Sequence, residues 1–539
     1  MTTPRDGDDL ILDLGEFQSP ATTAWDQIEP ERLREAERQA KAPPEPPSCT
    51  DTANAERFAR QHRDWMRYCY PWRKWLAWDG RRWAEDETGE AQRKAKETVR
   101  SIAAEALDVD DLHRPLLLSW AVKSEEARRR DNMLRLAQSE FGIPVRPIEL
   151  DADPWLLNVE NGTLDLRSGQ IHEHRRGEMI TKLAPLRYDP HARCPEWLRF
   201  LDRVMGGDAL LIDFLRRVAG YMLTGDVSAE VAFFLVGAGA NGKSTFLRTL
   251  QDMLGDYARS VPAEMLVEDK SNGATPERMI LRGTRLAVCQ ETAEGKALNA
   301  ATLKQITSRD KIAARALYQD ACEFEPSHKL LVGTNHKPKV RSADEGTWRR
   351  ILLVPFTVTI PEAERDPHLL EKLRTEAGGI LSWAAAGCRE WVAAGGGHVG
   401  LKVPQTVLAA TKQYRESEDA LGPFVADRCL LGPNERVGKP TLLSAYRRWC
   451  EETGETALSS RTFNTRISEL PGLRSGKSMN TRIWYGICCD TETGTHGTQG
   501  TDFSNSPDRA RGEEPLANSA PNVPSVPRQR DFSDPETED

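Results

Sequence analysis

Residues Val231–Leu250 read VAFFLVGAGANGKSTFLRTL, an apolar strand, a glycine-rich loop and then a helix-forming stretch. Gly237, Gly242, Lys243 and Ser244 satisfy the spacing G-x-x-x-x-G-K-[ST], in the strand–loop–helix context that gives it chemical meaning. Glycines let backbone N–H groups converge on phosphate oxygens with no Cβ in the way. The helix opening near Lys243 adds the partial positive charge of its N-terminus. Lys243 is expected to reach the β- and γ-phosphates as a point charge, and the Ser244 hydroxyl to ligate Mg²⁺. The expected contact run is Gly237, Ala238, Gly239, Ala240, Asn241, Gly242, Lys243, Ser244 and Thr245, with ATP and Mg²⁺ as ligands.

Such a loop alone does not choose between a kinase, a GTPase and a motor. Downstream, Arg285–Glu291 (RLAVCQE) predicts a buried strand that ends in a carboxylate and lies beside the first strand. Glu291 would polarise the attacking water or hold Mg²⁺ through water. Gln290 stands where a second acid is usual, so metal duty falls mainly on Ser244 and Glu291. His328–Pro338 (HKLLVGTNHKP) predicts a third strand, adjacent to the loop and ending in Thr334-Asn335; Asn335 fits a sensor of the γ-phosphate. Asp344–Arg350 (DEGTWRR) ends in paired arginines before the strand ILLVPF. One of Arg349 and Arg350 fits an arginine finger that stabilises charge on the transferred phosphoryl group; an ordinary surface pair is the alternative. Between these strands, Lys304, Arg309, Lys311 and Arg315 are interleaved with Ile and Ala, which describes either a basic hairpin gripping DNA phosphates or a solvated charged helix face.

Upstream, Trp72–Asp86 (WRKWLAWDGRRWAED) is a hairpin signal with Asp79-Gly80 at its tip. Its tryptophans, Trp72, Trp75, Trp78 and Trp83, suit base stacking or, more ordinarily, cross-strand packing. Glu90–Ser139 reads as helical, and a second hairpin, NVENGTLDLRSGQIHEH, has Asn161-Gly162 at its entry and Ser168-Gly169 at its turn. The string Glu149, Asp151, Asp153 is either a metal-binding carboxylate set or a group of solvated turn residues. Residues 196–224 predict two amphipathic helices.

Beyond a Gly-rich stretch near residues 393–400, LLSAYRRWCEE and SSRTFNTRISEL predict helices, the second capped by Ser459 or Ser460, and RSGKSMNTRIWYGI a hairpin-like wing. Residues 430–487 hold 9 basic and 5 acidic residues. Helix, helix and basic wing outline a winged helix, with Arg461, Arg466, Lys477 and Arg482 as candidate DNA contacts; protein docking is the other use of such a module.

The 539-residue chain carries a net charge of −9, but the acidity sits at its ends: −6 over residues 1–50 and −7 over 490–539, against +4 for the middle. An acidic total therefore does not exclude a polyanionic ligand. No run of 18 apolar residues exists, so no membrane partner is expected, and the acidic N-terminus does not read as a signal peptide. The ten cysteines form no CxxC, which excludes a zinc ribbon and fits reduced thiols in a cytoplasmic protein, host- or prophage-encoded. Both ends are expected to be disordered, while Glu29–Lys41 within the first carries the pattern of a charged helix.

The set GAGANGKST, RLAVCQE, LK-x-ITSRD-x-I-x-AR, GTNHKP and D-x3-WRR-x4-PF resembles the superfamily 3 helicases, in the branch of phage and plasmid primase–helicases related to poxvirus helicase–primases. The similarity extends from about residue 54 to 487. It implies an α/β P-loop ATPase core, AAA+-like, with a helical N-terminal domain and a C-terminal winged helix. It also implies a homo-hexameric DNA helicase that hydrolyses ATP between subunits and moves on single-stranded or forked DNA, with replication proteins as partners. Lys304 and Arg315 would face the DNA, Asn335 would be the sensor, and Arg349 or Arg350 the finger in trans. The expected domains are an acidic tail (1–53), a helical domain (54–224), the ATPase (225–392), a linker (393–419), the winged helix (420–487) and a second acidic tail (488–539). The primase half of such proteins has no visible counterpart. A non-motor initiator or helicase loader, or a primase–helicase, are the alternatives.

Overall fold

The structure, a computed structural model, describes residues 48–267, 276–290, 297–315, 321–340, 344–419, 421–478 and 481–489. Its described residues fall into two units: those up to Asp427 with Leu458–Leu473, and Arg428–Ala457 with residues from Arg474 onward. The charged stretch at Glu29–Lys41 lies outside the described residues.

The larger unit is built on a parallel sheet of β1 (Ala232–Val236), β2 (Ala258–Val261), β3 (Leu286–Gln290), β4 (Lys329–Thr334) and β5 (Ile351–Pro355). The spatial order is β5-β1-β4-β3-β2. Parallel strands need crossover connections, which cover both faces, so the inner strands read as unbroken apolar runs. Alternate residues enter separate cores. Phe233, Leu235, Leu331 and Val354 face helices Ala209–Leu223 and Ala377–Ala393, while Phe234, Cys289, Val332 and Leu353 face Leu303, Ile312 and Trp348.

One expectation changes here. The RLAVCQE strand, β3, does not lie beside β1; β4 lies between them, paired to both. A single apolar strand carries no information on its neighbours, so this order was not readable.

The N-terminal half is helical, as expected, with helices Asp51–His62, Glu90–Glu105, Arg114–Ser124 and Ala127–Ala137. Asp79-Gly80 closes the first hairpin, with Gly80 at φ +98° and Trp78 opposite Trp83. Trp83 is fully buried, and Trp72, Trp75 and Trp78 pack against buried clusters, so these rings serve packing. In the second meander, strand Leu156–Val159 already pairs with Gly162–Asp165, so Asn161-Gly162 belongs to its first turn rather than to an entry. Glu149 accepts from the Arg146 N–H and Asp153 from the Trp155 N–H, both in local turns, while Asp151 accepts from the Thr181 N–H thirty residues on; the acidic string serves backbone contacts.

Two domain boundaries move. Leu157, Leu164 and Trp197 share one core with Phe233 and Leu331, so residues 224 and 225 do not divide separate packing units. Residues 393–419, expected as a linker, contain α2 (Gln405–Glu418), which buries Val407 and Tyr414 and accepts the Leu353 N–H on Thr411 Oγ1 at 3.0 Å. The glycines before α2 break the chain direction, not the domain.

In the smaller unit, strands Cys429–Gly438, Thr481–Cys489 and Arg474–Ser478 form an antiparallel sheet with helix Lys439–Thr453. The hairpin expected over RSGKSMNTRIWYGI is present; the strand Cys429–Gly438 was not anticipated. Helix Ser460–Glu469 starts at Ser459, whose side chain accepts the Thr462 N–H, and it groups with the larger unit rather than with the wing.

Candidate functional site

The loop 237–242 leaves the C-terminal end of β1 and enters α1 (Lys243–Leu254). Its path is tight. A Cβ on Gly237 would come within 2.2 Å of both Asn241 Nδ2 and the Phe356 carbonyl. Gly242 sits at φ +85°, and a Cβ there would strike Val204 and Phe200. Ala240 is left-handed at φ +48° despite its side chain, and its carbonyl accepts the Ile360 N–H at 2.8 Å. No side chain caps α1, so its first N–H groups stay available at a positive helix end.

Lys243 is buried, and burial lowers its pKa. Its Nζ donates to Gly237 O at 2.6 Å, Asn241 Oδ1 at 2.9 Å and Asn335 Oδ1 at 3.1 Å. All three acceptors are neutral. The register explains the third contact: Thr334 of β4 lies opposite Val236 of β1, so the residues after each strand end, Asn335 and Gly237, converge. Asn241 also donates to the Phe356 carbonyl at 3.2 Å, a role as organiser of the loop that the motif did not reveal. Ala238 is exposed on the loop and Ser244 in the first turn of α1, with Thr245 partly so. Gln290 ends β3 opposite Gly333, on the same edge of the sheet; Glu291, which follows it, lies outside the described residues.

The arginine pair separates clearly. Arg350 is buried and its Nη1 meets Glu230 at 3.1 Å. Arg349 is exposed. Both precede β5, at the sheet edge opposite the loop. Arg350 is therefore spent on an internal ion pair, and Arg349 is the member of the pair open to solvent.

In the basic block, helix Ala300–Ile306 presents Lys304, which pairs with Asp344 at 2.6 Å. Asp344 also caps the short helix Glu345–Trp348 that leads to Arg349. Arg315 is exposed at the end of the hairpin strand Ile312–Arg315, whose partner is Ala321–Phe324; the tip, 316–320, lies outside the described residues. Of the C-terminal candidates, Arg461, Lys477 and Arg482 are exposed. Arg466 is only 9 % exposed, which corrects its expected role on a DNA-facing surface: it lies on the same helix face as the buried Phe463 and Ile467. Lys477 and Arg482 are directly opposite in the wing register, a like-charge pairing that costs stability unless an anion lies over it. Among the described residues no cluster of three or more His, Cys, Asp or Glu has metal-binding geometry, and no helix is long and apolar enough to cross a membrane.

Comparison with known proteins identifies the modules. Residues 55–206 match the "D5 N terminal like" family, and residues 235–350 match a family of unknown function, DUF5906. Two segments of the chain are thus similar to D5 primase/helicase-type domains. Its relatives include proteins provisionally named helicase L207/L206 of Acanthamoeba polyphaga mimivirus, 27% identical over 54% of this chain and 32% of that protein. Helicase 022R of Frog virus 3 is 25% identical over 59% of this chain and 41% of that protein. Primase C962R of African swine fever virus (isolate Tick/Malawi/Lil 20-1/1983) is 22% identical over 58% and 35%; both names are equally provisional. The matched chain thus spans 32–41% of the length of these three relatives. Among solved structures, the apo C-terminal region of NrS-1 covers 78% of this chain and 94% of its own, at TM-score 0.43 and 10% identity.

Proposed function

We propose that the chain is an ATP-dependent DNA helicase of superfamily 3 type, acting as a homo-hexameric ring in DNA replication. The observation that carries the reading is the shell of Lys243: a buried cation at an uncapped helix end, surrounded by neutral acceptors only. A buried charge is normally paired. Here the missing partner is an anion, and a nucleotide's β- and γ-phosphates fit the cradle of loop N–H groups around it. Ser244 and Glu291 are the residues that would hold Mg²⁺, which would neutralise charge on the phosphates. Asn335, now bound to Lys243, would turn to the γ-phosphate and orient the attacking water.

Arg349 supports a ring. β5 runs parallel to β1 with Ile351 opposite Ala232 and Pro355 opposite Val236, so Arg349 and Gly237 stand at opposite ends of about 16 Å of strand. Arg349 of one copy cannot serve its own loop, and its phosphate must come from a neighbour. Lys304, Arg315, Arg461, Lys477 and Arg482 are the DNA-binding candidates. The family supports replication helicase or primase work, and the unbalanced Lys477–Arg482 pair favours an anionic partner for the wing. The test is DNA-stimulated ATP hydrolysis by wild type and Lys243→Ala. Loss of turnover by about 100-fold or more, with single-strand affinity largely kept, is expected; unchanged turnover refutes the assignment.

A further inference from the structure

At the N-terminal edge of the sheet, opposite the loop, lies an open cleft of about 610 Å³. Its buried apolar lining is Trp348, Ile351 and Leu352, and it is also lined by Arg309, Arg349, Lys412 and Arg415. These cations come from three separate elements: the turn after helix Ala300–Ile306, the end of helix Glu345–Trp348, and α2. Lys412 and Arg415 are three apart, hence neighbours on one helix face, and α2 is fixed to β5 through Thr411 and the buried Tyr414.

We propose that this cleft receives the phosphates of a nucleotide held on the glycine loop of a second copy, with Lys412 and Arg415 as further cations beside Arg349. The inference rests on the reading above that hydrolysis occurs between copies, and it adds residues that no sequence motif marks. Charge favours it. With Arg350 included, five cations face two carboxylates in the cleft, Glu230 and Glu345. Glu230 already serves Arg350 at 3.1 Å and Arg309 at 3.3 Å, and Glu345 serves Arg415 at 2.6 Å. Lys412 has Glu416 at 3.8 Å. Arg349 has no carboxylate partner among the described residues. Pairs this exposed are weak, so a triphosphate can displace Glu345 and Glu416 at small cost. Convergence on one concave site, rather than spread along a stripe, fits a compact polyphosphate better than a strand backbone, which needs a track with successive base platforms.

The experiment mixes Lys412→Ala/Arg415→Ala protein with Lys243→Ala protein and measures ATP hydrolysis with single-stranded DNA in excess. Alone, the first should lose roughly ten-fold or more, and the second nearly all activity. Mixed, they should exceed the sum of the two several-fold, because an intact loop then meets an intact cleft. Lys412→Arg/Arg415→Lys should retain most activity, and thermal melting of both variants reports that they fold. Additive activity in the mixture, or wild-type activity of the double variant, overturns the proposal. So does weakened DNA affinity without complementation, which would make the cleft a DNA contact. Arg349→Ala mixed with Lys243→Ala runs beside it: complementation there with additivity for Lys412 and Arg415 removes this inference and leaves the ring reading, while additivity in both removes both.

Discussion

Lys243 and Lys329 are buried cations on the two opposite edges of one sheet, and neither has a carboxylate within ion-pair distance among the described residues. They differ in what holds them. Lys243 is held by a loop carbonyl and two side-chain amides, groups that rotate or shift when an anion arrives. Lys329 donates to the backbone carbonyls of Thr224 and Ser327 and lies 5.1 Å from the Tyr221 ring centroid, groups fixed by the fold. Beside it, the buried Arg285 donates to Leu223 O at 2.6 Å and Leu156 O at 2.7 Å, with its guanidinium over Tyr257. Lys243 is a charge ready for exchange; Lys329 and Arg285 fasten the starts of β4 and β3 to the helix and meander beside them.

If that contrast is right, substitutions of exchangeable and of fixed charges separate activity from stability. The largest separation is within the arginine pair. Arg349→Ala should lower hydrolysis by about 10²-fold, yet change stability by no more than about 0.5 kcal/mol. Arg350→Ala should cost about 2–3 kcal/mol through the loss of its buried ion pair with Glu230, measured by denaturant unfolding. Equal effects of the two on both readouts would break the distinction. Arg285→Ala comes next: two buried carbonyls lose their donor, so about 2–4 kcal/mol of stability should go, while the folded fraction keeps ATP affinity. A loss of ATP affinity without destabilisation would mean that Arg285, too, is a functional charge.

The last effect is a pH dependence that, for His328, is confined to acid. Burial lowers the pKa of His328 to about 4, from an ordinary 6.5. The fold therefore favours the neutral ring, and the unfolded chain binds more protons between these values. The His328 contribution is full above pH 6.5, declines as pH falls towards 4, and levels off below, a loss of about 3 kcal/mol in all. Lys329, also depressed by burial, extends the same slope towards its unfolded value on the alkaline side. Unfolding of His328→Leu followed from pH 4 to 7 should be flatter than wild type; an identical profile would assign the acid loss elsewhere.

Much of this was legible in residues. The glycine spacing around Lys243, the strand ending at Asn335 and the helical N-terminal half all follow from local pattern, because loop geometry and apolar periodicity are local properties. Strand order was not legible: nothing in RLAVCQE says that β4 will lie between it and the loop strand. Nor was the burial of Arg350 and Arg466, since a charged side chain looks the same in sequence whether it faces solvent or an internal carboxylate. The glycines at 393–400 resembled a linker, and α2 after them contributes Lys412 and Arg415 to the cleft. Long-range partners decide all of these, and a single sequence does not display them.

The most direct test is strand separation. Wild type and Lys243→Ala are compared on a forked duplex with ATP and Mg²⁺. Unwinding by wild type alone is the predicted result, joining the loop on one edge to work on DNA. Hydrolysis by wild type with no strands separated would contradict the motor and favour a loader that uses ATP as an assembly switch.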